Sequence, residues 1–290
     1  MKNPRTEPVH GRSDPGGVPP DRPAESRHGV LFILREWFDV LIIAFILAMF
    51  LRVFIIELFR IPSGSMTPTL IGGHITRMDF NRDGQEDLLL FPDDQKPYLF
   101  LNRGGHLSGT GPVDVPRREV MRMREKGTIQ ARYDRILVNK LAYWFNPPQR
   151  GDIVIFKVPV RIWDPGKPIY IKRCVGLPGD RLTFEDGYIN IDGFRLTQPG
   201  FFANQQYRMS VEVHTNHFFK NPQMDYEETN PYQLAIRGVS VPEDEVYVFG
   251  DNTHSSLDSR YWGGVELGDV KGRAFFRYWP VSEMRFLIPG

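Results

Sequence analysis

One apolar run constrains this chain more than any other feature. Phe38–Ile56 reads FDVLIIAFILAMFLRVFII, in which 17 of 19 residues are apolar. An α-helix rises 1.5 Å per residue, so about 20 such residues cross a hydrocarbon core of roughly 30 Å. The two charges, Asp39 and Arg52, lie toward the ends, where a charged head reaches the interface. A soluble helix would show a polar face, and a cleavable leader would start earlier and stop sooner. The sequence therefore predicts a single transmembrane helix over residues 37–57. Residues 1–36, rich in proline, glycine and charge, predict a disordered cytoplasmic tail. Its basic residues, Lys2, Arg5, Arg12, Arg22, Arg27 and Arg35, favour a cytoplasmic side for the tail and translocation of everything after the span.

That leaves residues 58–290 to form an extracytoplasmic domain. A mean hydropathy of −0.34 excludes a multi-span protein. The formal charge of +1, from 36 basic and 35 acidic residues, argues against a nucleic-acid partner, which calls for a basic excess. The single cysteine, Cys174, excludes an internal disulfide and a cysteine zinc cluster. Short β-rich segments bounded by Pro, Gly, Asp and Asn recur: Arg135–Asn139, Asp152–Val158, Ile169–Val175, Arg181–Phe184, Tyr188–Ile191, Val246–Phe249 and Gly272–Trp279. They predict antiparallel strands in a mainly β domain behind one anchor helix. Val120–Gln130 and Leu141–Phe145 are modest helix candidates.

Immediately after the span comes Phe59-Arg-Ile-Pro-Ser63-Gly-Ser65-Met66-Thr-Pro-Thr-Leu70. Two serines flank a glycine between prolines. Amides in such a turn can line an oxyanion site, and a serine becomes a nucleophile once a base takes its proton. The same residues also compose ordinary linkers. Among possible bases, His74, His106, His214, His217 and His254 stand in no motif. Lys172 lies in Tyr170-Ile-Lys-Arg-Cys-Val-Gly-Leu-Pro-Gly-Asp180, where strand alternation puts Tyr170, Lys172 and Cys174 on one face. Burial there would disfavour the ammonium and make a neutral base; a solvated edge charge is the plainer alternative.

These residues bear a family likeness. The chain resembles signal peptidase I, the membrane-bound serine–lysine peptidase that removes signal peptides from exported proteins. Four blocks match in order: Ile61–Leu70, Arg150-Gly-Asp-Ile-Val-Ile-Phe156, Tyr170–Asp180, and Gly250-Asp-Asn252 through Asp258-Ser-Arg-Tyr-Trp-Gly263. Asp134-Arg-Ile-Leu-Val-Asn-Lys140 looks like the family's strand before the second block. The resemblance implies a signal-peptidase-like, antiparallel all-β catalytic domain with Ser65 as nucleophile and neutral Lys172 as general base. It implies Ser63 in the oxyanion hole, Ser256 orienting the lysine, and a supporting Asp258–Arg260 pair. Phe59, Pro62, Met66, Leu70 and Tyr170 align with positions lining shallow pockets for small side chains at −1 and −3 of the substrate. The implied partners are signal-peptide-bearing precursors and the lipid bilayer of the cytoplasmic (inner) membrane, with no cofactor for catalysis. Trp262 and Trp279 are candidates for docking on the bilayer or, equally, for the core. Thr253 departs from the pattern, since the family's fourth block usually places Arg after Gly-Asp-Asn. Two alternatives share much of this sequence: a serine–lysine protease with one dedicated substrate, and a calcium-dependent membrane-anchored adaptor.

The adaptor alternative rests on residues 74–133, which separate two blocks that the family normally joins closely. Asp79-Phe-Asn81-Arg-Asp83-Gly-Gln85-Glu-Asp87 places oxygen-bearing residues at alternate positions with Gly84 sixth, a spacing able to wrap Ca²⁺. Leu90 stands where an EF-hand has its bidentate Glu. The segment instead resembles the calcium loop of one integrin-like propeller repeat, with Asp79, Asn81, Asp83, Gln85 and Asp87 as candidate ligands. An acidic turn that needs no metal uses the same residue types.

Overall fold

The computed structural model describes residues 27–91, 96–159, 169–207 and 238–289. The chain divides into two units, residues 1–49 and 50–290. In the first, helix α1 spans Arg27–Phe50. It begins ten residues before the expected limit of the tail, so residues 27–36 are helical; the remainder of the expected tail lies outside the described residues. The stretch Phe32–Ile55 is long and apolar enough to cross a membrane, with none of it buried. Leu51–Ile55 form one π-helical segment, and Ile56, expected within the span, instead opens strand β1.

In the second unit, chain order gives β1 Ile56–Arg60, β2 Gly72–Met78, β3 Asp87–Phe91, β4 Tyr98–Arg103 and β5 His106–Pro112. Helix α2 (Arg117–Glu125), β6 Gln130–Tyr133, β7 Arg135–Asn139, β8 Ile153–Lys157 and β9 Ile169–Gly176 follow. Then come β10 Arg181–Glu185, β11 Tyr188–Ile191, β12 Phe194–Arg195, β13 Val239–Ser240 and β14 Glu245–Phe249. The short helix α3 (Ser259–Trp262), β15 Val265–Glu266, β16 Val270–Trp279 and β17 Arg285–Phe286 follow among the described residues. Every strand pairing among the described residues is antiparallel. The seven segments expected as strands are strands. Leu141–Phe145 is a series of turns, because Asn139 Oδ1 takes the Leu141 amide and two prolines follow at 147 and 148. The helix expected at Val120–Gln130 starts earlier and stops at Glu125, where Gly127 takes a positive φ of 67°.

The largest sheet has eight strands, ordered β1-β7-β16-β8-β9-β14-β15, with β17 alongside β16. One face buries Val154, Phe156, Cys174, Val246, Val248, Tyr261, Trp262 and Val265. The other packs Ile61, Met66, Leu70, Ile136, Val138, Ile153 and Ile155. A central strand buried on both sides reads as a continuous apolar run, which explains Ile153-Val-Ile-Phe156. Trp262, with 1% of its surface exposed, is core, whereas Trp279 is 47% exposed. β10–β13 form a four-stranded sheet over Leu182, Ile189, Phe202 and Phe249.

Residues 72–133 build a five-stranded sheet of their own, ordered β5-β4-β3-β2-β6. Its apolar face unites Ile75, Leu88, Leu90, Tyr98 and Phe100 with Ile71. Asp134 ties its two ends together: its carboxylate accepts the Ile71 amide at 3.0 Å and its own amide donates to the Ile71 carbonyl at 2.8 Å. That carboxylate is fully buried and also accepts from Arg277 Nη1 at 3.0 Å and Arg132 Nε at 3.1 Å. A buried carboxylate with this many donors fixes where the excursion leaves and rejoins the main sheet.

Candidate active site

Ser65 lies in a one-turn 3₁₀ segment, Gly64–Met66, that directly follows the extended Ser63. Lys172 lies on β9, paired across the sheet with Val154. Its Nζ donates to Ser65 Oγ at 2.9 Å, a contact between residues 107 apart in sequence. Nζ also donates to the Ile171 carbonyl at 3.1 Å and stands 5.3 Å from the centre of the Tyr170 ring. Lys172 is only 4% exposed. Tyr170 and Cys174, two residues to either side, pack in the same apolar cluster, as strand alternation requires. Such an environment removes the water that would otherwise stabilise an ammonium.

Ser63 is exposed, with its Oγ 3.4 Å from Ser65 Oγ. Met66 and Leu70 are fully buried in the cluster beneath the serine turn, and Phe59 packs against that cluster. Tyr170 is half-buried and Pro62 exposed. The expected substrate-lining residues therefore divide into a buried floor and a partly open rim.

Gly250–Arg260 form the opposite wall. The Asn252 amide donates to the Ser65 carbonyl at 3.0 Å, and Asn252 Nδ2 donates to the Gly64 carbonyl at 3.1 Å. Gly250 lies so close to the site that a Cβ there would collide with Ser256 Oγ and the Ser65 carbonyl. Ser256 Oγ is buried and has no hydrogen-bond partner among the described residues. Its expected hydrogen bond to Lys172 is thus not made, although the packing at Gly250 places it beside the Ser65 backbone. Asp258 and Arg260 form a fully buried ion pair, Arg260 Nε donating to Oδ1 and Nη2 to Oδ2, each at 2.8 Å. Asp258 also takes the Gly250 amide at 2.8 Å, and Arg260 Nη1 donates to the Thr253 carbonyl at 2.9 Å. Burial alone would lower the Arg260 pKa, but the adjacent Asp258 carboxylate outweighs it and holds the guanidinium charged.

Three residues in or against this wall, Asn252, Asp251 and Arg173, were quoted for the resemblance without a role. Asn252 clamps the serine turn. Arg173, next to Lys172 but facing the other way, forks onto Asp251 at 2.9 and 2.7 Å and donates to the Gly151 carbonyl at 2.8 Å. An Arg and an Asp standing in two separate blocks are a sequence signal for such a bidentate pair.

The acidic loop behaves differently. Asp79 accepts the Asp83 and Gly84 amides at 3.1 and 2.9 Å, and Asp87 those of Phe80 and Asn102 at 2.9 and 2.8 Å. Asn81 Nδ2 donates to Asp83 Oδ2, and Gln85 Oε1 accepts the Gly104 amide. The candidate ligand oxygens accept hydrogen bonds from within the loop and, at Gln85 and Asp87, from Gly104 and Asn102. Among the described residues no group of three or more His, Cys, Asp or Glu side chains gathers to hold a metal ion. Asp79, Asn81, Asp83, Gln85 and Asp87 are held in a hydrogen-bonded turn. His74, His106 and His254 lie outside the Ser65–Lys172 contact, and His214 and His217 lie outside the described residues.

Comparison with known proteins places the chain in a family. A family described as "Signal peptidase, peptidase S26" matches residues 34–94 and 124–279, leaving 95–123 unmatched. Signal peptidase I of Leptolyngbya laminosa is 32% identical over 160 residues, 54% of this chain and 65% of that protein. The probable signal peptidase I-1 of Synechocystis is 31% identical over 175 residues, 59% of this chain and 72% of that protein. Signal peptidase I of Bacillus caldolyticus is 31% identical over 153 residues, 52% and 72% of the respective chains. The chain thus spans about two thirds of the length of these curated relatives. It belongs to the signal peptidase family, peptidase S26.

Proposed function

We propose that this chain is a membrane-anchored serine endopeptidase that removes N-terminal signal peptides from exported proteins, with Ser65 as nucleophile and Lys172 as general base. The observation that carries this reading is the 2.9 Å contact between Lys172 Nζ and Ser65 Oγ in an apolar wall. With the amine neutral, the Ser65 hydroxyl donates its proton to the Nζ lone pair as Oγ attacks the scissile carbonyl. Oxygen charge develops next to the Ser65 amide and the Ser63 hydroxyl, which act as its hydrogen-bond donors. The ammonium then gives its proton to the leaving amine, and an acyl-Ser65 ester remains. A water enters, Lys172 takes its proton, and hydrolysis releases the acyl product and restores the hydroxyl. A lysine base has no tautomer to fix, so the reaction needs no Asp–His pair.

The partly open rim at Phe59, Pro62 and Tyr170 over a floor of Met66 and Leu70 suits small side chains at −1 and −3, because a larger residue would overpack it. The nine residues between Ile55 and Ser65 keep the serine near the end of the apolar helix in sequence, where a membrane-inserted precursor presents its cleavage point. The basic residues before the helix support an inner-membrane location with the β domain on the extracytoplasmic side. The test is cleavage of a precursor bearing Ala at −3 and −1. The wild-type chain should cleave it and Ser65→Ala should not; a chain that leaves this precursor intact while processing one particular protein would be a dedicated protease instead. Retention of full function by Ser65→Ala would identify an adaptor.

A further inference from the structure

The second sheet reaches the candidate active site at two places. Leu90 of β3 sits on Gly64, where a Cβ would run into Leu90 Cδ2. On the other side, β5 meets the ring of His254. A Cβ at Gly111 would lie 3.1 Å from both Cε1 and Nδ1 of His254, and one at Gly109 would lie 3.6 Å from Cδ2. The strand is built for this approach. Its register with β4 shifts between Leu99↔Gly111 and Phe100↔Gly109, so Thr110 bulges out, and Gly111 takes a φ of +102° that side-chain-bearing residues avoid.

His254 stands two residues after Asn252, whose amide holds the Ser65 carbonyl. Other residues of the 250–256 loop are anchored as well: Asp258 accepts the Gly250 amide, Arg260 donates to the Thr253 carbonyl, and Asn252 grips Gly64 and Ser65. The β4–β5 hairpin is the wall on the loop's other flank. It also falls wholly within residues 95–123, which the family leaves unmatched. The Thr253–His254 departure and the extra hairpin are thus in contact.

We propose that the β4–β5 hairpin is a positioning element for the active site, seating His254 on Gly109 and Gly111 and so fixing the Asn252 backbone that holds Ser65. His254 is a positioning residue and touches no substrate. This inference rests on the peptidase reading for its kinetic consequence but not for its structural one, and the test separates the two.

Hydrogen exchange and precursor cleavage are measured on the full chain in detergent micelles. In His254→Ala, the Asn252 amide should exchange about tenfold faster, and kcat should fall about tenfold with KM within twofold of wild type. Gly109→Val, which thrusts its side chain at Phe100 and His254, should also lower kcat. If Gly109→Val does not fold, Gly109→Ala replaces it. Combined with His254→Ala, the Gly109 substitution should cost less than in the wild-type background, because the space it invades has been vacated. Unchanged Asn252 exchange in His254→Ala, or strictly multiplicative kcat losses in the double variant, overturns the proposal. A wild-type chain that cleaves no precursor, but whose Asn252 exchange still responds to His254→Ala, removes the peptidase reading and leaves the hairpin's role intact.

Discussion

The large sheet and the acidic loop between β2 and β3 treat their polar residues in opposite ways. In and around the large sheet, buried polar groups reach across the chain. Lys172 meets Ser65 at a separation of 107 residues, Arg173 meets Asp251 at 78, and Asn252 meets Gly64 at 188. In the acidic loop between β2 and β3, Asp79, Asn81 and Asp83 bond to atoms two to five residues away and stay exposed. Long-range buried pairs define a site, because each member is useless without a partner brought by the fold. Short-range exposed ones close a turn. The difference teaches that residue types able to bind a metal or run a reaction are told apart by what their neighbours have already engaged.

The sharpest way to break this contrast is to remove the base. Lys172→Met keeps the length and apolar fit of the side chain but provides no proton acceptor. Turnover should fall by about 10⁴-fold while the chain stays folded, since general-base removal costs rates of that order. Retained turnover would mean that Ser65 has another base. Next in size comes the fully buried Asp258–Arg260 pair. Arg260→Leu leaves a carboxylate without its counter-ion and should cost about 3–5 kcal/mol in denaturant unfolding.

A smaller effect comes from Glu283, which binds Arg132 (Nη2 to Oε2, 2.6 Å) and Arg277 (Nη2 to Oε2, 2.9 Å). The hydrogen bond from Arg132 outweighs the opposing effect of burial and lowers the Glu283 pKa to about 2. A folded-state pKa below the unfolded value stabilises at higher pH. The contribution is therefore complete above the ordinary carboxylate range near pH 4.3 and fades as pH falls toward about 2. Melting temperature followed down through that window should drop less steeply for Glu283→Gln than for wild type. Smallest of all is the response of the acidic loop to calcium. Its oxygens already accept hydrogen bonds, so millimolar Ca²⁺ should leave the melting temperature unmoved, and a clear upward shift would assign the loop a metal.

The same contrast explains what the sequence reveals. The strands of the large sheet are legible as apolar runs between turn residues, and their ends fall within about two residues of expectation. Ser65 and Lys172 stand out because they lie in the blocks that carry the family resemblance. Asn252 stands in such a block too, but its task depends on a backbone amide, which carries no sequence signature. The transition from helix to strand at Ile56 is hidden because both structures use the same apolar residues there. Trp262 reads equally as a membrane anchor or as core until packing decides. Oxygen-bearing residues at alternate positions suggest a metal, yet Asx-type turns use the same spacing to catch amides. The seat for His254 is invisible in the sequence, since two glycines and a histidine some 145 residues apart signal nothing until the strands are placed.

The pH dependence of single-turnover precursor cleavage tests the pairing of Ser65 with a neutral Lys172 most directly. The account predicts a rate that climbs tenfold per pH unit on its acid side, as one group loses a proton, and levels off well below the range near 10.4 where solvent-exposed lysines deprotonate. A rate that stays flat into acid, or that rises only near that exposed-lysine range, would contradict it.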